Sequence, residues 1–351
     1  MERMPTVDDV ALAASVSRQT VSNVINSPEI VRESTRLRVQ EVIDRLGYRP
    51  HASARRLRTR TSSTIGLRLD PLRDGISGVV LDRFVHKLAE QADERGLRVM
   101  IFTANGPEDE LAHIRRLRDG SDIDAFILIA TFHGDPRISW LVEHEVPFVS
   151  FGRPWGSTID DPQHRWVDVD GRAGVRDTVN HLRASGAQRV AYIGWPSPSG
   201  TGDERRAGWE EACGFDAADR ARYQVVTVDG VDEGADSARR LMATDAPPDA
   251  IVCASDSLAL GARLALDAAG FLDTPVVGFD NTPVSAAMGL SSIDQPLDEV
   301  VAAALHLLFG PDGGIVRPNP KRNEEPTNRL LVPRLVERRS SHRALGETTG
   351  A

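Results

Sequence analysis

Between residues 17 and 26 the stretch SRQTVSNVIN sets a polar series against an apolar one. Val21, Val24 and Ile25 recur at i, i+3 and i+4, the spacing of one buried helix face, which turns Arg18, Gln19, Ser22 and Asn23 outward. An exposed Arg can pair bidentately with guanine and a Gln with adenine, whereas Thr20 and Ser22 suit phosphate oxygens. A second group lies far along the chain. Asp280 ends the apolar run PVVGFD, and Ser255 and Asp256 end IVCASD, while Arg205 opens a helix after YIGWPSPSGTG. Groups at the carboxyl ends of parallel strands are where open α/β sheets take ligands.

The elements that must position these residues follow from the pattern. Thr6 with Asp9 is a capping-box-like start for a first helix through Val10 and Ala14, ASVS is a tight turn, and Ser17 caps a second helix from Arg18 to about Ile25. A third helix is expected from near Ser34, with Val39, Val42, Ile43 and Leu46 as its stripe and Gly47 as its stop. Three such helices form a helix-turn-helix unit, whose second helix enters the major groove. From Ile65 the chain alternates. IGLRL, LRVMIFTA, DAFILIA and VPFVSF read as buried parallel strands, followed by a second run of RVAYIG, YQVVTV, AIVCAS and PVVGF, with helices such as Val79–Arg95, Glu108–Arg118, Ala173–Arg183 and Leu258–Ala269 between them. Two βα runs in series predict two doubly wound lobes.

Charge separates head from body. Residues 1–60 carry 11 Arg and 7 acidic residues, a net +4, leaving −13 on the remainder of a chain whose total is −9. A basic head on an acidic body is expected to bring only the head to a polyanion. No run of about 18 apolar residues is available to span a membrane, and the first ten residues lack the apolar core of a secretory signal. Cys213 and Cys253 have no metal-like spacing and point to packing roles in a reducing compartment. No dinucleotide G-x-G-x-x-G, P-loop, H-E-x-x-H or G-x-S-x-G is present, so an enzyme is not expected, nor a cofactor or metal.

TVDDVALAASVSRQTVSNVIN, TRLRVQEVIDRLGYRP and ARRLRTRTSSTIGL together resemble the lactose-repressor (LacI/GalR) family of bacterial transcription regulators. VDVDGRAGVRDTVNHLRASGAQRVAYIG, RRAGW, ASDSLALGARLALDAAG and VVGFDN extend the resemblance over roughly residues 6–338. Asn23 stands where Arg is frequent, His51 where Asn is usual and Ser255 where a ligand-binding Asn is common. The resemblance implies that Ala52–Arg58 form a short hinge helix on DNA, with Leu57 wedged into the minor groove and Arg55 and Arg58 beside it. Apolar wedges and arginines suit that groove, and so short a helix is not stable alone. It also implies that Arg205 and Asp280 grip a ligand between two lobes like those of periplasmic sugar-binding proteins. Trp155 and Trp195 would offer indole faces to a sugar, or pack between the lobes; Trp166 carries the same two readings. Ser255 and Asp256 are open between ligand contact and strand-end structure. SFGRPWG, WVDVDG and IGWP are also similar to the actinobacterial subgroup that responds to cellobiose and related oligosaccharides.

The expected organisation is multidomain, an all-α helix-turn-helix head plus an α/β two-lobed body. The head spans 1–49 and the hinge 50–62, followed by an effector-binding and dimerisation body at 63–339 and a disordered tail at 340–351. Lobe 1 takes about 63–162 and 292–323, and lobe 2 about 163–291 and 324–339. Residues expected on DNA are Thr6, Ser17, Arg18, Gln19, Thr20, Ser22, Asn23, Asn26, Tyr48, Arg55, Leu57 and Arg58. The expected protein is a cytoplasmic, nucleoid-associated homodimer on a pseudo-palindromic operator, released by a mono- or disaccharide. A corepressor, or a purine in place of a sugar, is the alternative, and a plain sugar-binding protein the remote one.

Overall fold

The computed structural model describes residues 5–48, 62–69, 78–120, 122–156, 159, 161, 163–310, 314–316 and 328–341. Arg55, Leu57, Arg58 and the whole expected hinge helix lie outside them. The chain divides into two units between Ser62 and Ser63.

Among its described residues the first unit has three α-helices, α1 (Val7–Ala13), α2 (Arg18–Asn26) and α3 (Glu33–Leu46). Thr6 and Asp9 form the capping box reciprocally, each side chain bonding the other's backbone N–H. The turn from α1 to α2 places Ser15 at φ +52, a left-handed position filled without glycine. Gly47, at φ +63, ends α3 in the same region, where its missing side chain costs nothing. Val10, Val21, Val24, Val39 and Val42 close the core.

Among its described residues the second unit holds two six-stranded sheets. Lobe 1 is built from β1 (Thr64–Leu69), α4 (Gly78–Asp93), β2 (Arg98–Thr103), α5 (Pro107–Asp119), β3 (Ala125–Leu128), α6 (Pro136–Glu143), β4 (Phe148–Phe151) and β5 (Trp166–Val169). Lobe 2 continues with α7 (Gly171–Ala184), β6 (Val190–Gly194), α8 (Gly200–Cys213), α9 (Ala217–Tyr223), β7 (Gln224–Val226), α10 (Val231–Met242), β8 (Ala250–Cys253), α11 (Asp256–Ala268), β9 (Val276–Phe279), α12 (Pro283–Ala287) and β10 (Ser291–Asp294). The chain then returns through α13 (Leu297–Leu308) and β11 (Asn328–Leu331) to lobe 1, and ends with β12 (Arg334–Val336) on lobe 2. The first sheet is parallel throughout, in the order β11-β5-β4-β3-β1-β2; the second, β12-β10-β9-β8-β6-β7, has one antiparallel edge at β12. In β3, Ala125 and Ile127 pack with Phe84 and Leu88 of α4, and Phe126 and Leu128 with Ile114 of α5 and Leu141 of α6. Both faces are covered, so the strand reads as an unbroken apolar run.

The crossings fall elsewhere than at 162, 292 and 323. Trp166–Val169 and Asn328–Leu331 belong to lobe 1, and Ser291–Asp294 to lobe 2. The chain changes lobe at strand ends, near Asp170, Gln295 and Val332, where Pro296 and Pro333 stand, and these short strands carry no alternation to betray their sheet. The expected disorder from residue 340 is likewise corrected at its start. Ser340 and Ser341 are buried, and Ser340 accepts from the Ser291 N–H at 2.8 Å while donating to the Val276 carbonyl at 2.6 Å.

Candidate functional site

In the first unit the outward face of α2 is built from its cap. Ser17 precedes the helix in extended backbone, and its Oγ accepts the Thr20 N–H at 3.1 Å. With Val21 and Val24 buried, Ser17, Arg18, Gln19 and Asn26 are exposed and Ser22 and Asn23 half-buried. Gln19 donates to Asn23 Oδ1 at 2.9 Å and Asn26 donates to the Ser22 carbonyl at 2.5 Å. Arg18 pairs with Asp8 at 3.0 Å, both side chains more than half exposed, so water and salt weaken this tie and a nucleic acid can displace it. The other two described residues expected on DNA have partners within the head. Thr6 is committed to its cap, and Tyr48 packs in the head core, where burial and then the nearby Asp8 push its phenol pKa up.

The second group gathers at the carboxyl ends of the lobe 2 strands. Arg205, on α8, is buried, and its guanidinium lies over the Phe279 ring, 3.5 Å from the centroid, with Trp195 on another side at 5.2 Å. Its Nη1 donates to the Ala254 carbonyl at 2.5 Å, while its buried Nε has no hydrogen-bond partner among the described residues. Asp280 follows β9, also buried, 3.8 Å from Arg205 Nη2, and accepts from Gln295 Nε2 at 2.7 Å. Burial raises its carboxyl to about 7 even though Arg205 acts to lower it. Trp195 Nε1 donates to Asp229 Oδ1 at 3.3 Å, and the Ser255 hydroxyl donates to the same oxygen. A cationic donor, a carboxylate and an indole thus converge on one spot, a set able to bond neighbouring hydroxyls and stack on a ring face.

Trp155 enters from lobe 1, in the loop after β4. It lies so close to Gly200 at the start of α8 that a β-carbon there would fall 2.1 Å from the indole. Beside it, Arg153 bonds Asp168 at 2.8 Å within lobe 1 and reaches Glu204 of α8 at 3.5 Å. Asp256 does not join the group: its two oxygens accept from Thr282 and Ser292 and tie α11 to the segments after β9. Trp166 is a buried strand residue. Asp229, Gln295, Phe279, Arg153 and Glu204 escaped the sequence reading. The strand-end rule that found Asp280 applies equally to Asp229 in VVTVDG, and Arg153 was within the quoted SFGRPWG. Among the described residues no cluster of His, Cys, Asp and Glu could hold a metal ion, and both cysteines are buried and free.

Residues 6–51 match the bacterial regulatory proteins of the lacI family, and residues 179–341 the periplasmic binding protein-like domain. The HTH-type transcriptional regulator CelR of Thermobifida fusca is 32% identical over 84% of this chain and 88% of its own. The HTH-type transcriptional regulator AglR of Rhizobium meliloti is 35% identical over 73% of this chain and 71% of its own. A solved complex of transcriptional regulator CelR with cellobiose superposes with a TM-score of 0.66 at 28% identity, covering 96% of this chain and 99% of that one. The lac repressor dimer bound to operator and the anti-inducer ONPF gives 0.75 at 24% identity, over 97% and 100% of the two chains, a likeness of fold.

Proposed function

This chain belongs to the lacI family of bacterial regulatory proteins, DNA-binding transcription regulators rather than enzymes, and from that premise we propose that it is a repressor released by a small carbohydrate held between its two lobes. The observation that carries the effector class is Arg205: a buried guanidinium N–H without a partner among the described residues, close to two aromatic rings and to a buried carboxyl group. A buried donor left unmade is costly, and a ligand hydroxyl would satisfy it while its neighbour bonds Asp280. Trp195 and, from lobe 1, Trp155 would take the C–H faces of the sugar. Ser255, tied to Asp229, supports the ligand from below; Asp256 acts structurally.

On DNA, Arg18 and Gln19 would read base edges, with Ser17, Thr20, Ser22, Asn23 and Asn26 on phosphates or neighbouring edges. We place the hinge at 50–62, with Leu57 as wedge and Arg55 and Arg58 in the minor groove. Two copies on a two-fold axis would meet a pseudo-palindromic operator on nucleoid DNA. The test is a mobility shift with DNA from around the protein's own gene against mono- and disaccharides, cellobiose first. Release by a sugar supports the reading; release by a purine alone, or tightening by the sugar, refutes it.

A further inference from the structure

Asp280 and Asn281 have backbone angles that side chains other than glycine rarely adopt, φ +110 and +47. Asn visits the left-handed region more readily than most residues, but Asp280 at φ +110 lies outside it, and such a backbone persists only where its surroundings hold it. Most of the holding comes from lobe 2. The Asp280 N–H donates to the Ile293 carbonyl at 2.8 Å and the Asn281 N–H to Ser292 Oγ at 2.9 Å. The Asn281 side chain donates to Asp294 at 3.0 Å and accepts from Arg338 at 2.6 Å.

One hold is different. Arg83 stands on α4, in lobe 1, and its Nη1 donates to the carbonyls of both Asp280 and Asn281, at 3.2 and 3.4 Å. Its Nη2 reaches Asp294 Oδ1 at 3.5 Å, the oxygen that also holds Asn281. Among the described residues, Arg83 alone bonds this pair from lobe 1. The side chain of Asp280 therefore faces Arg205 and Gln295 within lobe 2, while its main chain is gripped across the lobe boundary.

We infer that Arg83 is a positioning residue for the effector: from lobe 1 it holds Asp280 in the conformation that presents its carboxylate, and so makes effector affinity depend on how lobe 1 sits against lobe 2. The inference rests on the reading of Asp280 as an effector ligand. Its consequence is reciprocal. If drawing α4 away weakens the effector, then the effector resists that movement by the same factor. A guanidinium suits the task because one planar fork spans two carbonyls and a carboxylate, whereas an ammonium is a single point.

The experiment uses the full chain with Arg83→Gln and Arg83→Lys. Hydrogen exchange of the ligand-free protein is followed over residues 279–282, with β6 as internal control, and cellobiose is titrated by calorimetry. Arg83→Gln is expected to speed exchange at 279–282 by about tenfold and to weaken cellobiose by about tenfold, with β6 exchange and sugar-free operator affinity unchanged. Arg83→Lys should fall between. Unchanged exchange at 279–282 overturns the inference, as does full sugar affinity in Arg83→Gln. If the unsubstituted protein binds no sugar, the carbohydrate reading fails by itself, and the exchange comparison still decides whether Arg83 holds Asp280.

Discussion

Asp256 Oδ2 accepts both the backbone N–H and the hydroxyl of Thr282, at 2.7 and 2.8 Å. Its other oxygen takes the Ser292 hydroxyl at 2.6 Å. One carboxylate thereby fixes the segment after β9 to the start of α11 and to β10. Asp256→Ala would leave three buried donors without it. A destabilisation of about 2–4 kcal/mol is expected in urea unfolding, with the concentration of sugar needed for operator release little changed. A variant of native stability that has lost its sugar response would return Asp256 to the ligand set.

Arg205→Lys keeps the charge and removes the planar group over Phe279. It also removes the Nε donor. Sugar affinity should fall by at least about tenfold, with operator binding in the absence of sugar retained. Calorimetry beside a mobility shift separates the two effects, and an unaltered sugar affinity would remove Arg205 from the site.

Burial holds the Asp280 carboxyl at about 7 against an ordinary 3.8. Between those values the folded body keeps a proton that the unfolded chain has released, so this group's contribution to stability falls as pH rises through the window and is flat above it. His164 works in the opposite sense, since burial depresses its imidazole from 6.5 to about 4 and stability is lost as pH falls between them. Asp280→Asn should abolish the first slope, gaining roughly 1–4 kcal/mol over the unsubstituted protein at about pH 8 and little at about pH 4. Parallel stability curves for the two proteins across that range would contradict the assignment.

Asp8 sits beside Arg18, 3.0 Å away, where an operator phosphate or base would have to compete with it. Asp8→Asn is expected to tighten operator and non-specific DNA alike, by about two- to tenfold at low salt. Arg18→Ala should cost about 1–3 kcal/mol, concentrated at one base pair of each half-site. A loss spread evenly over all sequences would make Arg18 a phosphate contact.

Ser15 occupies a left-handed turn position at φ +52. Glycine carries no penalty there, so Ser15→Gly should stabilise the head by about 0.5–1 kcal/mol, measured by thermal unfolding. A lower melting temperature would show that the Ser15 side chain contributes something beyond the turn.

The head was legible almost to the residue because its signals are local: Thr6 with Asp9, Ser17 before Arg18, and Gly47 after Leu46 each mark a helix end within four positions. Eight of the body's strands were legible for the same reason, as short apolar runs between turn signals. The crossings were not. β5 and β10 are four-residue strands that are buried throughout, and nothing in WVDV or SSID says which of two sheets will take them. At the site, Arg205 and Asp280 came from motif position, and Trp195 from its place after a strand. Gln295, Asp229 and Arg83 depend on partners 15, 26 and 197 positions away in the chain, a distance that no periodicity spans.

The last two strands have a consequence for how the protein is made. β11 completes the edge of one sheet and β12 the edge of the other, and they are separated by only Val332 and Pro333. On the ribosome neither lobe can close its sheet until this final stretch has emerged, although nearly all the rest of both has long been synthesised. Until then β5 and β10 stand at the edges of their sheets, and β11 and β12 join them within a few residues of one another. A ribosome that stops just short of Asn328 leaves two unfinished lobes rather than one finished and one missing.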